Sequence, residues 1–134
     1  MRGPTITYMT KSDRRHLRSQ NTTRALNLQL ESCRKDAALD GLILADDDGV
    51  CLATSGDPNA CDEVAARLPF IGRKVPAFEG VMLGTDTGWR IRMRRIEISG
   101  ADLYLCAIGD GDDHQAILTR SARGVSRIIE RRAA

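Results

Sequence analysis

The segment Asp46-Asp47-Asp48-Gly49 constrains the fold of this chain more than any other feature of its sequence. It separates two short apolar runs, residues 41–45 and 50–54, which are rich in residues that favour strands. An Asp-Gly pair tolerates the positive φ angles that tight hairpin turns require. The first two strands are therefore predicted to be antiparallel neighbours in one sheet.

Three segments show the period of an amphipathic helix. The first is predicted to begin after a cap at Thr22 or Thr23 and to end near Ala38. The second begins with Asp57 as N-cap and Pro58 at the first helical position, and Pro69 is expected to end it, which leaves residues 70–76 as a loop. The third spans residues 114 to about 131. Their apolar stripes are Leu26, Leu30, Cys33 and Ala37; Cys61, Val64, Ala65 and Leu68; and Leu118, Ala122, Val125 and Ile129.

Three further strands are predicted at residues 80–83, 89–98 and 103–108. In the second of these, Trp89, Ile91 and Met93 alternate with arginines, so one side is apolar and the other is basic. The parity changes after Arg94-Arg95, and a β-bulge at that pair is the simplest explanation. Residues 103–108 are almost all apolar, which is typical of a central strand covered on both faces.

The length of 134 residues predicts one domain with one core, preceded by a flexible basic arm over residues 1–21. The domain itself is assigned to residues 22–134. Net charge is only +2, so the overall balance favours no particular partner class. No apolar run reaches the ~20 residues that span a bilayer, and the amino terminus lacks the apolar region of a signal peptide, so a cytoplasmic location is expected.

The sequence offers no catalytic constellation, and we predict that the protein is not an enzyme and has no cofactor or metal. The four cysteines form no C-x-x-C pair and are expected to be small, reduced core residues. The acidic turns at residues 46–49 and 110–113 lack the bidentate glutamate of a calcium loop. The segment 109–111 lacks the remaining glycine of a dinucleotide fingerprint, and His16 and His114 are expected at the surface.

The basic row on the fourth strand comprises Arg90, Arg92, Arg94 and Arg95. One interpretation is a solvated sheet face paired internally with Glu79, Glu97, Asp62 or Glu63. The second is a surface that binds a protein partner, because guanidinium groups suit bidentate contact with carboxylates. A nucleic-acid surface is the least favoured, since only 4% of the residues are aromatic and stacking platforms are scarce.

The order helix, strand, strand, helix, strand, strand, strand, helix resembles the Roadblock/dynein light chain family. Three stretches support the resemblance: residues 39–53 (LDGLILADDDGVCLA), the hairpin over 81–98, and residues 103–111 (LYLCAIGDG). It implies an α+β fold with a five-stranded antiparallel sheet, the first and last helices on one face and the middle helix on the other.

The resemblance also implies a function. Members pair as homodimers through the third strand and the second helix, and they act as adaptors or regulators of small Ras-like GTPases or larger protein assemblies. The matching interface positions here are Cys61, Val64, Ala65 and Leu68 on the helix and Val81, Met82 and Leu83 on the strand.

Two other functions stay open at this point. The helix, hairpin and central-sheet pattern is also similar to small-ligand sensors of the GAF/PAS type, although residues 70–80 are few for the helices that cover a pocket in such domains. Alternatively, the basic arm and the last helix bind nucleic acid or an anionic membrane by charge alone.

Overall fold

The computed structural model describes residues 20–84, 87–110 and 114–133. The arm predicted over residues 1–21 therefore lies outside the described residues, except for its last two positions. The elements, in chain order, are α1 (Gln20–Ala37), β1 (Gly41–Ala45), β2 (Cys51–Gly56), α2 (Pro58–Gly72), β3 (Ala77–Leu83), β4 (Gly88–Ile98), β5 (Ala101–Ile108) and α3 (His114–Ala133).

All five strands form one antiparallel sheet in the order β2-β1-β5-β4-β3. The predicted fold class, element order and first hairpin are confirmed. Strand β5 lies at the centre, and its residues from Leu103 to Ile108 are all buried, as the continuous apolar run predicted. The two edge strands are β2 and β3.

The sheet separates two apolar layers. On one face, Leu26 and Leu30 of α1 and Leu118 and Val125 of α3 pack against the sheet. On the other, the stripe of α2 packs against Ile43, Ile91 and Tyr104 among others. The helices are thus placed as the resemblance implied. None of the helices within the described ranges is long and apolar enough to cross a membrane.

The hairpin between β1 and β2 is held by Asp46. Its Oδ1 accepts hydrogen bonds from the backbone N–H groups of Asp48 (2.9 Å) and Val50 (3.0 Å). Gly49 adopts φ 82°, the left-handed region in which an L side chain is strained. The predicted turn chemistry is therefore confirmed.

Two helix ends differ from the prediction: the start of α1 and the end of α2. Helix α1 already includes Gln20, so buried Thr22 lies inside the helix and does not cap it. Helix α2 begins as predicted, with the Asp57 side chain accepting from the Asn59 N–H at 3.0 Å. It does not end at Pro69 but continues to Gly72, because a proline inside a helix removes only one backbone hydrogen bond and Pro69 itself is buried in the core.

The predicted bulge in β4 is wrong. The register between β4 and β5 is continuous from Ile91, opposite Ile108, to Ile98, opposite Ala101. Ile98 packs beneath α1 and α3, on the same face as Arg90, Arg92 and Arg94. The apolar pattern changes because these helices cover only one half of that face, so the strand needs no extra residue. Strand β3 is also longer than predicted and starts at Ala77.

Candidate protein-interaction surface

The basic row of β4 is divided between the two faces of the sheet. Arg90, Arg92 and Arg94 share one face because side chains alternate along a regular strand. Arg95 lies on the other, where its Nη1 donates to the Gly72 carbonyl oxygen at 2.9 Å. The four arginines therefore do not form one continuous surface.

Each arginine of the row has a partner within the chain. Arg90 donates to Asp110 at 2.9 Å, and Arg92 pairs with Glu79, which is its cross-strand neighbour on β3. Arg94 reaches α3, where it donates to the Thr119 hydroxyl at 2.9 Å and also contacts Gln115. Of the acids that the sequence suggested as internal partners, the structure pairs Glu79 with an arginine of the row. A partner-binding role for these four arginines stays a prediction.

The helical residues predicted for the dimer interface are not on the surface. Cys61, Val64, Ala65 and Leu68 are each at most 1% exposed, because they face the sheet of their own chain. The exposed residues of α2 form its outer face. This face includes a large apolar side chain, Phe70, with 69% of its surface exposed. The sequence placed Phe70 in a loop, because Pro69 was expected to end the helix.

The strand residues predicted for the interface divide in the same way. Met82 is buried beneath α2, whereas Val81 is 56% and Leu83 is 72% exposed. Within the described residues, β3 pairs only with β4, so its outer edge presents backbone hydrogen-bonding groups that have no strand partner. The Arg67 guanidinium donates to the Leu83 carbonyl and ties the end of this edge to α2. We call Val81, Leu83 and the outer edge of β3 the open edge.

The opposite edge of the sheet is covered. Helix α1 packs along β2, and the Asn27 side-chain oxygen accepts a hydrogen bond from the Thr54 N–H at 2.9 Å. An edge amide of β2 is thereby satisfied within the chain. Among the described residues the two edges therefore differ: β2 has α1 packed along it and one edge amide bonded within the chain, whereas the outer edge of β3 has no strand partner.

The cysteines offer no reactive thiol. All four cysteines are free thiols. Cys33, Cys61 and Cys106 are buried, as predicted for core residues, and Cys51 is half-buried. Burial raises the pKa of Cys51 to about 11 and also raises the pKa of Cys61 and Cys106. The thiolate, which is the nucleophilic form, is therefore scarce at neutral pH. Within the described ranges, no three His, Cys, Asp or Glu side chains come together as metal ligands.

The described residues line at least two surface cavities. One, of about 660 Å³, lies over α1 and α3 and is lined by polar and basic side chains such as Gln29, Thr119 and Arg123. The other, of about 670 Å³, lies where α1 meets the end of β2 and includes Arg34 and Asp57. His114 is buried, contrary to the surface position predicted for it. Of the acidic segment 110–113, only Asp110 falls among the described residues.

Comparison with solved structures identifies the fold. Myxococcus xanthus MglB matches with a TM-score of 0.61 at 13% identity, covering 85% of this chain and 94% of that one. The gliding protein MglB of Thermus thermophilus matches with a TM-score of 0.58 at 16% identity, covering 81% and 91%. A Roadblock/LC7 domain from Streptomyces avermitilis matches with a TM-score of 0.55 at 17% identity, covering 81% and 98%.

The chain therefore has the Roadblock/LC7 fold. Among solved proteins it is similar to MglB over most of both chains, including an MglB described as having a tetrameric arrangement. Neither a family model nor a curated protein matches the sequence. The Roadblock-like fold that the sequence predicted is thus confirmed.

Proposed function

We propose that this chain is a non-catalytic, homodimeric adaptor or regulator that works in the cytoplasm and binds a small Ras-like GTPase or a larger protein assembly. The observation that carries the proposal is the open edge of β3 in a Roadblock fold whose other edge is covered. The family resemblance supports the class of partner.

The unequal edges favour a closed dimer. Two β3 strands related by a two-fold axis perpendicular to the sheet pair antiparallel and make a continuous sheet of ten strands. Each outer end of that sheet is then a β2 strand shielded by α1 through Asn27. Because no open edge is left, assembly stops at two chains and does not continue into a fibre.

The exposed apolar side chains lie where such a dimer needs them. Val81 and Leu83 project from the pairing strand itself, and Phe70 projects from α2, which lies next to β3 on the opposite face. Burial of these three side chains between copies adds apolar contact to the backbone hydrogen bonds of the strand pair. On a monomer, Val81 and Leu83 would stay exposed on one face of the unpaired strand and Phe70 on the α2 side of the sheet.

The chemistry of the described residues supports a role without catalysis. Burial raises the pKa of the Cys51, Cys61 and Cys106 thiols, so these three are protonated at neutral pH. The arginines of β4 are engaged in pairs with Asp110, Glu79 and the residues of α3. The arginine pairs stabilise the fold and keep these guanidinium groups engaged within the chain.

The solution mass measured by light scattering over a range of concentrations tests the dimer. We expect a dimer for the wild type and a monomer for Leu83→Asp, because the substitution would place a charged side chain of each copy in an interface that is otherwise apolar there. Leu28→Asp is the matched control: Leu28 is also exposed, at 60%, but it lies on α1 and the dimer should persist. A monomeric wild type, or a dimer unaffected by Leu83→Asp, would refute the proposed interface.

A binding measurement tests the partner class. A Ras-like GTPase from the same genome, loaded with GDP or with a non-hydrolysable GTP analogue, is titrated calorimetrically into the protein. Binding that differs between the two nucleotide states is expected of a regulator. Equal binding in both states would indicate a tether, and absence of binding for each such GTPase would remove this partner class from the proposal.

A further inference from the structure

The arginines whose side chains the structure describes fall into two groups according to whether they have a partner within the chain. Those on or near the sheet and α2 donate to acceptors within the chain, and Arg120 on α3 pairs with Asp36 on α1 at 2.6 Å. Within the described residues, four arginines make no hydrogen bond or ion pair, and all four are exposed: Arg24, Arg123, Arg127 and Arg131.

These four arginines lie on one surface of the fold. Arg123, Arg127 and Arg131 are spaced by four residues, so they share one side of α3, opposite its buried stripe. Contacts of Asp36 with Arg120 and of Gln29 with Gly124 show that α1 runs antiparallel to α3. This register brings the Arg24 end of α1 alongside the Arg131 end of α3. We call this surface the basic helical face.

Nearby acids do little to neutralise the basic helical face. Glu31 pairs with Lys35 at 3.4 Å within α1, and Asp36 is taken by Arg120. Glu130 is the remaining exposed acid of α3 among the described residues. Four guanidinium groups on two adjacent helices repel one another, and an anionic partner relieves that repulsion.

We propose that the basic helical face docks on the surface of an anionic phospholipid membrane. The groove over α1 and α3 is lined by Gln29, Gln115, Ala116, Thr119 and three arginines, so it has no large apolar side chain to hold the anchor residue of a protein partner. A layer of lipid headgroups needs no such complementarity and binds through charge. Leu28, 60% exposed on α1 beside this face, adds one apolar contact with the headgroup region.

Nucleic acid fits the face less well. Tyr104 is buried, and Phe70, Phe78 and Trp89 lie on α2, β3 and β4, so the described face has no aromatic ring on which a base could stack. Arginine contacts to phosphate alone would bind duplex DNA without selectivity. The competition measurement below separates the two anions.

The proposed dimer would strengthen membrane docking, and this step rests on the proposed function. A two-fold axis perpendicular to the sheet places α1 and α3 of both copies on the same side of the continuous sheet. The dimer would then present two basic helical faces toward one plane, and the second face would bind at a high effective concentration once the first is bound.

Cosedimentation with vesicles tests the proposal. The full chain is mixed with vesicles of phosphatidylcholine containing about 30% phosphatidylglycerol, and with vesicles of phosphatidylcholine alone, at low salt. We expect binding to the anionic vesicles only, lost on addition of about 1 M salt, which shortens the screening length to about 3 Å. Arg123→Glu/Arg127→Glu should weaken binding at least about tenfold, since each basic residue near such a surface contributes roughly fivefold.

Lys74→Glu is the matched control for the single variant Arg127→Glu. Both substitutions change the net charge equally at an exposed position, but Lys74 follows α2, which packs on the opposite face of the sheet. Binding of Lys74→Glu should stay within about twofold of wild type. A third variant, Arg14→Gln/Arg15→Gln, measures the contribution of the basic amino-terminal segment in the full chain.

Several results would overturn the proposal. They are absence of binding to anionic vesicles, equal binding to uncharged vesicles, unchanged binding of Arg123→Glu/Arg127→Glu, and displacement of the protein from vesicles by duplex DNA at an equal concentration of phosphate charge. The proposed dimer is judged separately by light scattering. A monomer that still binds vesicles through Arg123 and Arg127 would refute the dimer and leave the membrane surface intact.

Discussion

The Tyr104 hydroxyl donates a hydrogen bond to the Asp47 carboxylate at 2.8 Å, joining two residues 57 positions apart in the sequence. Tyr104 lies on the central strand β5 with its ring in the core, and Asp47 lies in the hairpin between β1 and β2. The same carboxylate oxygen also accepts from the Arg73 guanidinium at 3.3 Å, just after α2. One aspartate thus links the hairpin to the centre of the sheet and to the end of a helix.

Tyr104→Phe is expected to destabilise the protein by about 1–2 kcal/mol at pH 7, because it removes a hydrogen bond to a charged acceptor while keeping the ring. Burial and the bond to Asp47 raise the pKa of Tyr104 to about 12, against about 10 when it is unfolded. The contribution of Tyr104 is therefore complete below pH 10 and is lost as the pH rises from 10 to 12. Urea unfolding at pH 7, 10 and 12 should show that the difference in free energy of unfolding between wild type and Tyr104→Phe becomes smaller as the pH rises. If this difference stays the same at all three pH values, the pKa of Tyr104 is not raised by folding.

Two helical glycines should respond differently to alanine. A Cβ on Gly72 would lie 2.1 Å from the ring of Tyr104, which is fixed in the core, so Gly72→Ala should cost more than about 2 kcal/mol. A Cβ on Gly124 would meet the Gln29 side chain, which can rotate away, and alanine is the better helix former. Gly124→Ala should therefore stay within about 1 kcal/mol of wild type in chemical denaturation. If both substitutions change the free energy of unfolding equally, the contact with the Tyr104 ring is no more restrictive than the contact with Gln29.

The covered edge at β2 is tested through Asn27. Asn27→Ala removes the acceptor of the Thr54 N–H and should cost about 1 kcal/mol. Native-state hydrogen exchange at the Thr54 amide should become faster, while amides in β5 keep their protection. Asn59→Ala, at an exposed position of α2, is the control. Unchanged exchange at Thr54 would mean that α1 shields this edge without the hydrogen bond.

The arginines of β4 should differ in their contribution to stability. Arg95 is half-buried and donates to Gly72 at 2.9 Å, so Arg95→Ala should cost about 1–2 kcal/mol. Arg90 pairs with Asp110 in the open, with their side chains 58% and 88% exposed, so Arg90→Ala should change stability by less than about 0.5 kcal/mol. Thermal denaturation of the two variants side by side measures the difference. The opposite order would show that the Asp110 pair is stronger than its exposure indicates.

Local signals in the sequence predicted the elements well wherever a short-range interaction fixes the backbone. Three kinds of feature depend on residues a few positions apart: the Asp46 turn, the Asp57 cap and the apolar stripes of α1, α2 and α3. Their spacing can therefore be recognised in the sequence alone. The amino-terminal start of α1 and the continuation of α2 beyond Pro69 were missed. Both depend on packing against the sheet, which outweighs a weak start signal or one lost hydrogen bond.

The sequence by itself determined the antiparallel sheet, the three amphipathic helices and the alternation of arginines with apolar residues along β4, because side-chain period and turn chemistry are local properties. Only the tertiary structure decided what covers each face. A bulge and a half-covered face give the same apolar pattern, and the position of α3 over Ile98 but not over Arg90 distinguishes them. Likewise, an apolar helix stripe has the same period whether it faces its own sheet or another chain. The positions of Cys61, Phe70 and Leu83 relative to the core were therefore fixed by packing alone.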